Sequence, residues 1–207
     1  MKICPICFRD VDEGVSFHEY LFEEDIICGK CRHQFVENKK IYHFENLEIH
    51  AFYLYDDFLE SLLFQYKEAK DIALKDVFLW KKKEEMKDIF RHHECVIMPS
   101  FIKKVEERTF HHLDCMLSCC EVSISHCLKK TKNFKQSSQR GKQRQSIENV
   151  IEIEEKPPSE FYLFDDVVTT GNTLKAAAQL LNKDKLTKAY VFSVHPHFVE
   201  LCEKERL

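Results

Sequence analysis

Four cysteines near the amino terminus stand in two pairs, each enclosing two other residues. Cys4 and Cys7 form the first pair, Cys28 and Cys31 form the second, and twenty residues lie between the pairs. This spacing lets four thiolates converge tetrahedrally on one Zn²⁺, and a site closed by four thiolates has a structural role. The sequence therefore predicts a structural zinc at these cysteines. Separately buried cysteines and a redox-active pair are the alternatives.

A second group of chemistry-bearing residues lies between Phe161 and Leu174, in the sequence FYLFDDVVTTGNTL. An apolar run predicts a buried strand, two adjacent acids follow it, and a turn rich in Thr leads into a predicted helix. Backbone amides at the start of a helix bind phosphate, because they are unpaired and lie at the positive end of the helix dipole. Asp165 and Asp166 could accept hydrogen bonds from a sugar diol or hold a hydrated Mg²⁺. The alternative is a solvated turn followed by an ordinary helix cap.

The elements that must position these residues alternate between strands and helices. The patterns predict strands over 40–55, 94–100, 120–124, 161–164 and 187–194. They predict helices over 57–80, 81–93, 103–120 and 172–181, and a loop over 165–171. The strand–helix–strand unit that starts at Phe161 implies an α/β fold with a parallel sheet and helices on both faces. We expect a small zinc-binding module over 1–40 and a second domain over 41–207.

The motifs resemble those of a known family. The segment from Leu163 to Leu174 looks like the phosphoribosyl-pyrophosphate (PRPP) motif of type I phosphoribosyltransferases, and the cysteine pairs before it are similar to those of the ComF family of bacterial competence proteins. The segment around Tyr66-Lys67 resembles the FKYRGD-type segment of that family. Two further segments resemble its VPVP…RERGFNQ and T…Q…R…N stretches; their matching residues are Ile97-Met98-Pro99, Lys103, Lys104, Arg108-Thr109-Phe110, Thr131, Gln136, Arg144 and Asn149.

The resemblance implies a phosphoribosyltransferase-like fold for the second domain and a site for PRPP. Asp165 and Asp166 would bind the ribose hydroxyls, and the turn at Pro99-Ser100 would face the pyrophosphate with its Mg²⁺. The residues that would wrap the 5′-phosphate are Thr169, Thr170, Gly171, Asn172 and Thr173. The candidate cations on the pyrophosphate side are Lys67, Lys103, Lys104 and Arg108.

Three functions are compatible with this resemblance. The first is a role in natural competence, in the handling of incoming single-stranded DNA, with other competence proteins such as a helicase as partners. The second is an active phosphoribosyltransferase, which would stabilise an oxocarbenium-like transition state by positioning the sugar and neutralising the pyrophosphate. The third is a PRPP sensor or partner-binding protein without turnover, because a fold does not fix a function.

A basic segment lies on an acidic chain. The net charge is −4, but residues 129–144 carry +7 and no acid, which leaves −11 on the remainder. The segment is rich in Ser and Gln and predicts an exposed loop that binds nucleic acid, closes over the site, or merely connects two elements. The candidates for contact with nucleic acid are Lys132, Phe134, Lys135, Arg140 and Arg144.

The composition excludes several classes of protein. The 207 residues are 44% apolar and 32% charged, with 17 Phe and 7 Tyr, so the chain can bury a core and is not disordered throughout. No apolar run reaches the length of about 18 residues that a membrane-spanning helix needs, and the first residues lack the apolar core of a signal peptide. We therefore expect a cytoplasmic protein without membrane insertion.

The histidines have competing interpretations: His18 and His33 are alternative zinc ligands, and the pairs 92–93 and 111–112 either tune a site or belong to the core or surface.

Overall fold

A computed structural model describes residues 2–15, 25–131, 151–182 and 185–204. The strands in these residues are β1 (Ile41–Phe44), β2 (Leu47–Leu54), β3 (Glu94–Ile97), β4 (Ile124–Ser125), β5 (Leu128–Lys130), β6 (Ile151–Ile153), β7 (Phe161–Val168) and β8 (Thr187–Val194). The helices are α1 (Gly29–Arg32), α2 (Asp57–Lys67), α3 (Lys83–Ile89), α4 (Ile102–Arg108), α5 (His112–Leu117), α6 (Asn172–Leu181) and α7 (Pro196–Lys204). Short 3₁₀ turns lie at Ile72–Leu74 and Trp80–Lys82.

The main sheet has six strands in the order β1-β2-β8-β7-β3-β4. Only β1 pairs in the antiparallel direction, so β2, β8, β7, β3 and β4 all end at the same edge of the sheet. The strands β5 and β6 form a separate antiparallel ribbon. The predicted α/β fold with a mostly parallel sheet is confirmed, and the unit β7–α6–β8 is its centre.

Both faces of the sheet are covered. Every residue of β8 except Lys188 is buried, and a strand whose alternate side chains are all buried must be packed on both sides. On one face Phe192 contacts Tyr53 and Phe78, with ring centroids 5.2 and 5.3 Å apart. Tyr66 continues this aromatic layer by packing on Phe78 at 4.9 Å. The layer fixes the carboxyl end of α2 against the sheet.

The predicted elements agree with the structure at the carboxyl-terminal unit and differ elsewhere. The helix α6 and the strand β8 have the predicted bounds. The predicted helix over 57–80 ends instead at Lys67, shortly before Lys70 adopts a left-handed φ of 63°. The predicted helix over 103–120 is divided into α4 and α5 by Thr109, whose φ is 71°. A left-handed residue cannot continue a right-handed helix, so each of these residues ends one.

The strand β7 is longer than predicted and contains Asp165 and Asp166, which the sequence pattern predicts in a loop. Parallel pairing with β8 continues as far as Val168 and Val194. Pairing with β8 before and after the two acids holds them in an extended conformation, which outweighs their low intrinsic preference for strands. The basic segment is described only up to residue 131, where Lys129 and Lys130 belong to β5.

Gly171 brings the loop after β7 close to the layer beneath it. Its φ is 71°, and a Cβ atom placed there would lie 2.7 Å from the ring of Phe198 and 2.9 Å from the ring of Phe44. Only glycine combines this backbone conformation with so close an approach. The start of α6 is therefore held directly against α7 and β1.

The amino-terminal residues pack against the sheet domain. Phe35 contacts Tyr53 and Phe58 edge to face, with centroids 5.3 and 5.2 Å apart. The Asp25 carboxylate, which is buried, lies 2.6 Å from Arg32 Nε and 3.6 Å from Lys81 Nζ, in the turn before α3. An apolar contact and a shared buried carboxylate thus join the two parts of the chain. No helix among the described residues has the length and apolar character needed to cross a membrane.

Candidate functional site

The candidate site lies at the carboxyl edge of the sheet, between β3 and β7. From β3 the chain goes on to β4 on one side, and from β7 it goes on to β8 on the other side. The loops that follow the two strands therefore diverge and leave a crevice between them, which is where open α/β sheets bind ligands. Pro99 and Ser100 follow β3, and Thr169 begins the loop after β7.

A buried ionic cluster lies at the base of this crevice. Asp166, on β7, forms an ion pair with Lys67 at the end of α2. The same carboxylate oxygen, Oδ2, lies 3.2 Å from Nε2 of His112 at the start of α5. Burial alone would raise the pKa of Asp166, but Lys67 and His112 hold it well below its usual value. The acid is therefore ionised and binds two elements that come from distant parts of the chain.

Backbone hydrogen bonds hold the two partners of Asp166 in place. Arg108 Nε donates to the carbonyl oxygen of Lys67 at 2.8 Å, and the hydroxyl of Tyr66 donates to the carbonyl oxygen of His112 at 2.7 Å. Burial lowers the pKa of His112 although Asp166 acts in the other direction. A neutral imidazole can donate from Nε2 to the carboxylate and leave Nδ1 as an acceptor, with the Ser100 hydroxyl 3.4 Å away.

Asp165 differs from its neighbour. Adjacent residues of a strand point to opposite faces, so the two carboxylates do not share an environment. Asp165 is half-buried, and its Oδ1 accepts the amide of Asp166 at 2.9 Å. Burial and the charge of Asp166 raise the pKa of Asp165 to about 8. The pair thus combines one firmly ionised acid with one that gains a proton near neutrality.

The loop from Thr169 to Thr173 leads into α6 as predicted. Thr169 and Thr170 are exposed, Gly171 is buried, and the two following residues are half-buried. Gly171 occupies the N-cap position, and its carbonyl oxygen accepts the first helical bond from Lys175 at 2.9 Å. In any α-helix the amides of the first turn have no carbonyl partner within the helix, so they are available to an anion.

The candidate cations are placed unequally. Lys67 and Arg108 are in the ionic cluster, whereas Lys103 is exposed on α4. A cavity of about 300 Å³ lies beside the cluster and is lined by Lys67, Glu68, Lys70, Lys104, Glu107 and Arg108. Arg108 is buried, and its Nη1 has no hydrogen-bond partner. An unpaired guanidinium nitrogen at a cavity is a donor that an anion could satisfy.

Sequence reasoning missed two members of the site. His112 was noted only as half of a histidine pair, and Lys130 only as part of the basic segment. Lys130 lies on β5, and its positive charge acts to lower the pKa of Asp165. Burial lowers the pKa of Lys130 itself. No spacing in the sequence joins these residues to β7, because the chain separations are large. The candidate nucleic-acid residues Lys132, Phe134, Lys135, Arg140 and Arg144 lie outside the described residues.

The four predicted metal ligands meet in space. The sulfur atoms of Cys4, Cys7, Cys28 and Cys31 all lie within 4.8 Å of one another, and Cys7 Sγ is 3.5 Å from Cys28 Sγ. Sulfurs bound to a tetrahedral zinc at about 2.3 Å lie about 3.8 Å apart, so the cluster fits the ion. The amide of Arg9 lowers the pKa of Cys7 to about 7, while burial raises the pKa of Cys28. A bound zinc would hold all four sulfurs as thiolates and close this module.

Two close approaches assemble the cysteine cluster. A Cβ atom on Gly29 would lie 2.0 Å from the carbonyl oxygen of Gly14, so the chain at Gly14 passes directly against the second cysteine pair. The amide of Gly29 also donates to the carbonyl oxygen of Glu13 at 3.0 Å. Among the described histidines, His33 is outside the cluster; His18 lies outside the described residues.

Replacing each of the two aspartates by Asn should change the free energy of unfolding in opposite directions. Asp166→Asn leaves Lys67 without its counter-ion, and we expect a loss of about 3 kcal/mol of unfolding free energy at neutral pH, at the low end for a buried pair because Lys67 is 26% exposed. The folded pKa of Asp166 is depressed, so this contribution is present above its unfolded pKa and is lost as the pH falls.

Asp165→Asn should instead stabilise the protein at alkaline pH. The raised pKa means that the folded state binds the proton more tightly than the unfolded state, so the parent loses stability as the pH rises from about 4 towards about 8. The variant should gain about 1 kcal/mol or more at about pH 9 and little at about pH 5. Urea unfolding at both pH values measures this, and equal pH dependence of parent and variant would contradict it.

Removing one thiolate should release the zinc and unfold the amino-terminal module. Cys28→Ser in protein purified without chelator should contain well under one zinc per chain, because structural zinc sites need all their ligands. Cys115→Ser is the matched control, since Cys115 lies in α5, outside the cluster, and is half-buried. Elemental analysis with circular dichroism measures both properties, and equal zinc in parent and Cys28→Ser would refute the assignment.

Comparison with known proteins agrees with the motifs. No protein-family model matches the chain. The chain is 26% identical over 199 residues to the competence protein ComFC of Bacillus subtilis (strain 168), and the similarity covers 93% of this chain and 77% of that protein. Because the similarity covers 93% of this chain, the matched region includes the second cysteine pair and the β7–α6 junction. The similarity confirms the resemblance to the ComF family that the motifs indicated.

Proposed function

We propose that this chain is a PRPP-binding, phosphoribosyltransferase-like protein that acts in natural competence. In this proposal residues 1–40 form a zinc module and residues 41–207 form the phosphoribosyltransferase-like domain. The observation that carries the proposal is the junction between β7 and α6, where two acids and a helix amino terminus lie at the divergence of β3 and β7. The role in competence comes from the similarity to ComFC of Bacillus subtilis.

The chemistry of PRPP matches the separate parts of the site. The 5′-phosphate binds the amides and hydroxyls of residues 169–173, where the helix dipole favours an anion. The ribose diol donates to Asp165 on β7, and the pyrophosphate, with its Mg²⁺, lies towards Pro99, Ser100, Lys67, Lys103 and Arg108. The unpaired Nη1 of Arg108 supports an anion at this end of the crevice.

The two acids have different tasks in this proposal. Both oxygens of Asp166 are engaged, since Oδ1 accepts the amide of Val167 at 2.8 Å and Oδ2 contacts Lys67 and His112. Asp166 is therefore a positioning residue that holds Lys67. Asp165, which is half-buried and whose Oδ1 accepts the amide of Asp166, is the acid that contacts the ribose hydroxyls.

Asp165→Asn should bind PRPP with Mg²⁺ at least about tenfold more weakly than the parent when both are titrated at about pH 9, where Asp165 is ionised. An amide accepts the hydrogen bonds of a diol less strongly than a carboxylate does. The variant keeps its fold, so the loss would not reflect unfolding. Asp57→Asn is the matched control: Asp57 is an exposed acid near the same edge of the sheet, at the start of α2. Titration calorimetry measures the three affinities.

The same samples separate the possible roles of PRPP. Release of pyrophosphate with a candidate acceptor present indicates an active transferase, whereas binding without release indicates a sensor or effector site. If the parent binds no PRPP with Mg²⁺, or if Asp165→Asn binds as tightly as the parent, the proposed site is wrong. The zinc content of the parent is unaffected by either outcome.

We also propose that the basic segment contacts single-stranded DNA. The charge of +7 over residues 129–144 supports this second candidate. Two of these cations have neighbours in the structure: Lys129 Nζ is 3.7 Å from Glu154, and Lys130 lies over the ring of Phe101 at 5.1 Å. The candidate cations for a polyanion are Lys132, Lys135, Arg140, Lys142 and Arg144, which lie outside the described residues, and Phe134 would add base stacking.

The affinity for single-stranded DNA should fall steeply with salt. About four phosphate contacts give a log–log slope near −3, at about −0.7 per contact. A variant with Ala at Lys132, Lys135, Arg140 and Arg144 should bind more weakly and with a flatter slope. A matched control carries Ala at four exposed cations elsewhere, which are Lys39, Lys87, Arg91 and Lys185.

Filter binding across a salt series measures these slopes. Equal slopes and affinities for parent and basic-segment variant would refute the DNA contact. If that variant instead loses affinity for PRPP and keeps its affinity for DNA, the segment closes over the site.

A further inference from the structure

Three residues outside the sites described above bring metal-binding atoms together. His111 precedes α5, Asp114 follows it by three residues on the same face of that helix, and His126 lies directly after β4. One ring nitrogen from each histidine and one carboxylate oxygen all lie within 4.8 Å of one another. The group joins the start of α5 to the turn between β4 and β5.

The two histidines approach different oxygens of one carboxylate. His111 Nδ1 is 3.1 Å from Asp114 Oδ2, and His126 Nε2 is 3.2 Å from Asp114 Oδ1. Ligands bound to a tetrahedral zinc at about 2.0–2.1 Å lie about 3.3 Å apart, so this spacing suits a common ion. The rings of His111 and His126 stand edge to face, with centroids 5.5 Å apart, so they do not block the space beside the carboxylate.

Hydrogen bonding does not account for the arrangement. The buried atoms His111 Nδ1 and Asp114 Oδ1 have no hydrogen-bond partner of acceptable geometry. This holds although Asp114 Oδ2 is close to the first atom and His126 Nε2 is close to the second. Buried polar atoms are nearly always satisfied, and a pair of unsatisfied atoms in one group needs an explanation. A metal ion between the three side chains would satisfy both atoms at once.

We propose that His111, Asp114 and His126 form a second metal site, which binds Zn²⁺ or a similar divalent first-row transition metal. Two imidazoles and one carboxylate are a donor set that such metals use, and three protein ligands leave a position for water or another small ligand. His126 is 53% exposed, which gives the ion a path from solvent. The site differs from the cysteine cluster in ligand chemistry and in exposure.

The site is next to the ionic cluster of the crevice. His112 follows His111 directly, and the two rings are stacked with centroids 5.9 Å apart. A metal on His111 would fix the first turn of α5 and, through it, the imidazole that contacts Asp166. The inference does not depend on PRPP binding, because none of the three ligands belongs to the proposed PRPP site.

Zinc titration of protein whose cysteine cluster is already filled tests the site. Calorimetry should show a second equivalent for the parent, no second equivalent for His126→Ala, and binding weakened about tenfold or more for Asp114→Asn, which exchanges a charged ligand for a neutral amide. His92→Ala is the matched control, since His92 is exposed and is not part of the group. Retention of the first equivalent and of the circular dichroism spectrum shows that each variant is folded.

Cobalt identifies the ligands. A second equivalent of Co²⁺ bound by imidazole and carboxylate should add ligand-field bands without adding to the thiolate-to-cobalt charge-transfer band of the cysteine cluster. Binding of only one equivalent by the parent, or of a second equivalent by His126→Ala, would overturn the proposal. Growth of the charge-transfer band with the second equivalent would also overturn it, because the ligands would then be other cysteines, such as Cys119 and Cys120, whose sulfurs are 3.8 Å apart.

Discussion

The buried carboxylate of Asp166 is the constraint on which the candidate site depends. An ionised acid removed from water must be paired, and here its partners are Lys67 and His112. Lys67 is 99 residues away along the chain. Because one carboxylate needs both partners, the end of α2 and the start of α5 must meet β7 at the same point. Arg108 and Tyr66 donate hydrogen bonds to the backbone carbonyl oxygens of Lys67 and His112. The need to pair Asp166 therefore also constrains how α2 and α5 are placed.

The neighbouring acid shows what the site demands of the fold. Asp165 is held partly out of water beside a second negative charge, which raises its pKa and makes its ionised form unfavourable. A residue that destabilises the folded state at neutral pH, yet lies at the crevice of the sheet, fits a role in binding better than a role in stability. Asp166 stabilises the fold and Asp165 is free to serve a ligand, although the two are adjacent in sequence.

Two groups of metal-binding side chains have different relations to the rest of the protein. The cysteine cluster unites residues 2–15 and 25–38, where Val11 and Ile27 are the buried apolar residues besides the cysteines, and a zinc would supply the stability that so small a core lacks. Phe35 and the Asp25–Arg32 pair then attach this module to the sheet. The proposed group of His111, Asp114 and His126 lies instead at the edge of an already packed sheet. Loss of a metal from this group would leave the core intact, so the metal would affect the geometry of the crevice rather than the stability of the fold.

Much of the fold followed from local patterns. The bounds of α6 and β8, the presence of strands near residues 41–54 and the convergence of four cysteines follow from apolar periodicity and from ligand spacing, which are properties of short segments. The helix predicted over 57–80 ends at Lys67, and Thr109 divides a second one, because left-handed backbone at single non-glycine residues leaves no signal in apolar spacing.

The sequence alone determined which residue types would meet at the junction of β7 and α6, since an apolar strand, two acids and a helix start follow one another directly. Only the tertiary structure decided that Asp165 and Asp166 lie in the strand, that the pKa of Asp165 is raised while that of Asp166 is lowered, and that His112 and Lys130 join them. The physical reason is that the burial, pairing and pKa of a carboxylate depend on groups that fold against it from distant positions. No local pattern records which cation will reach which acid.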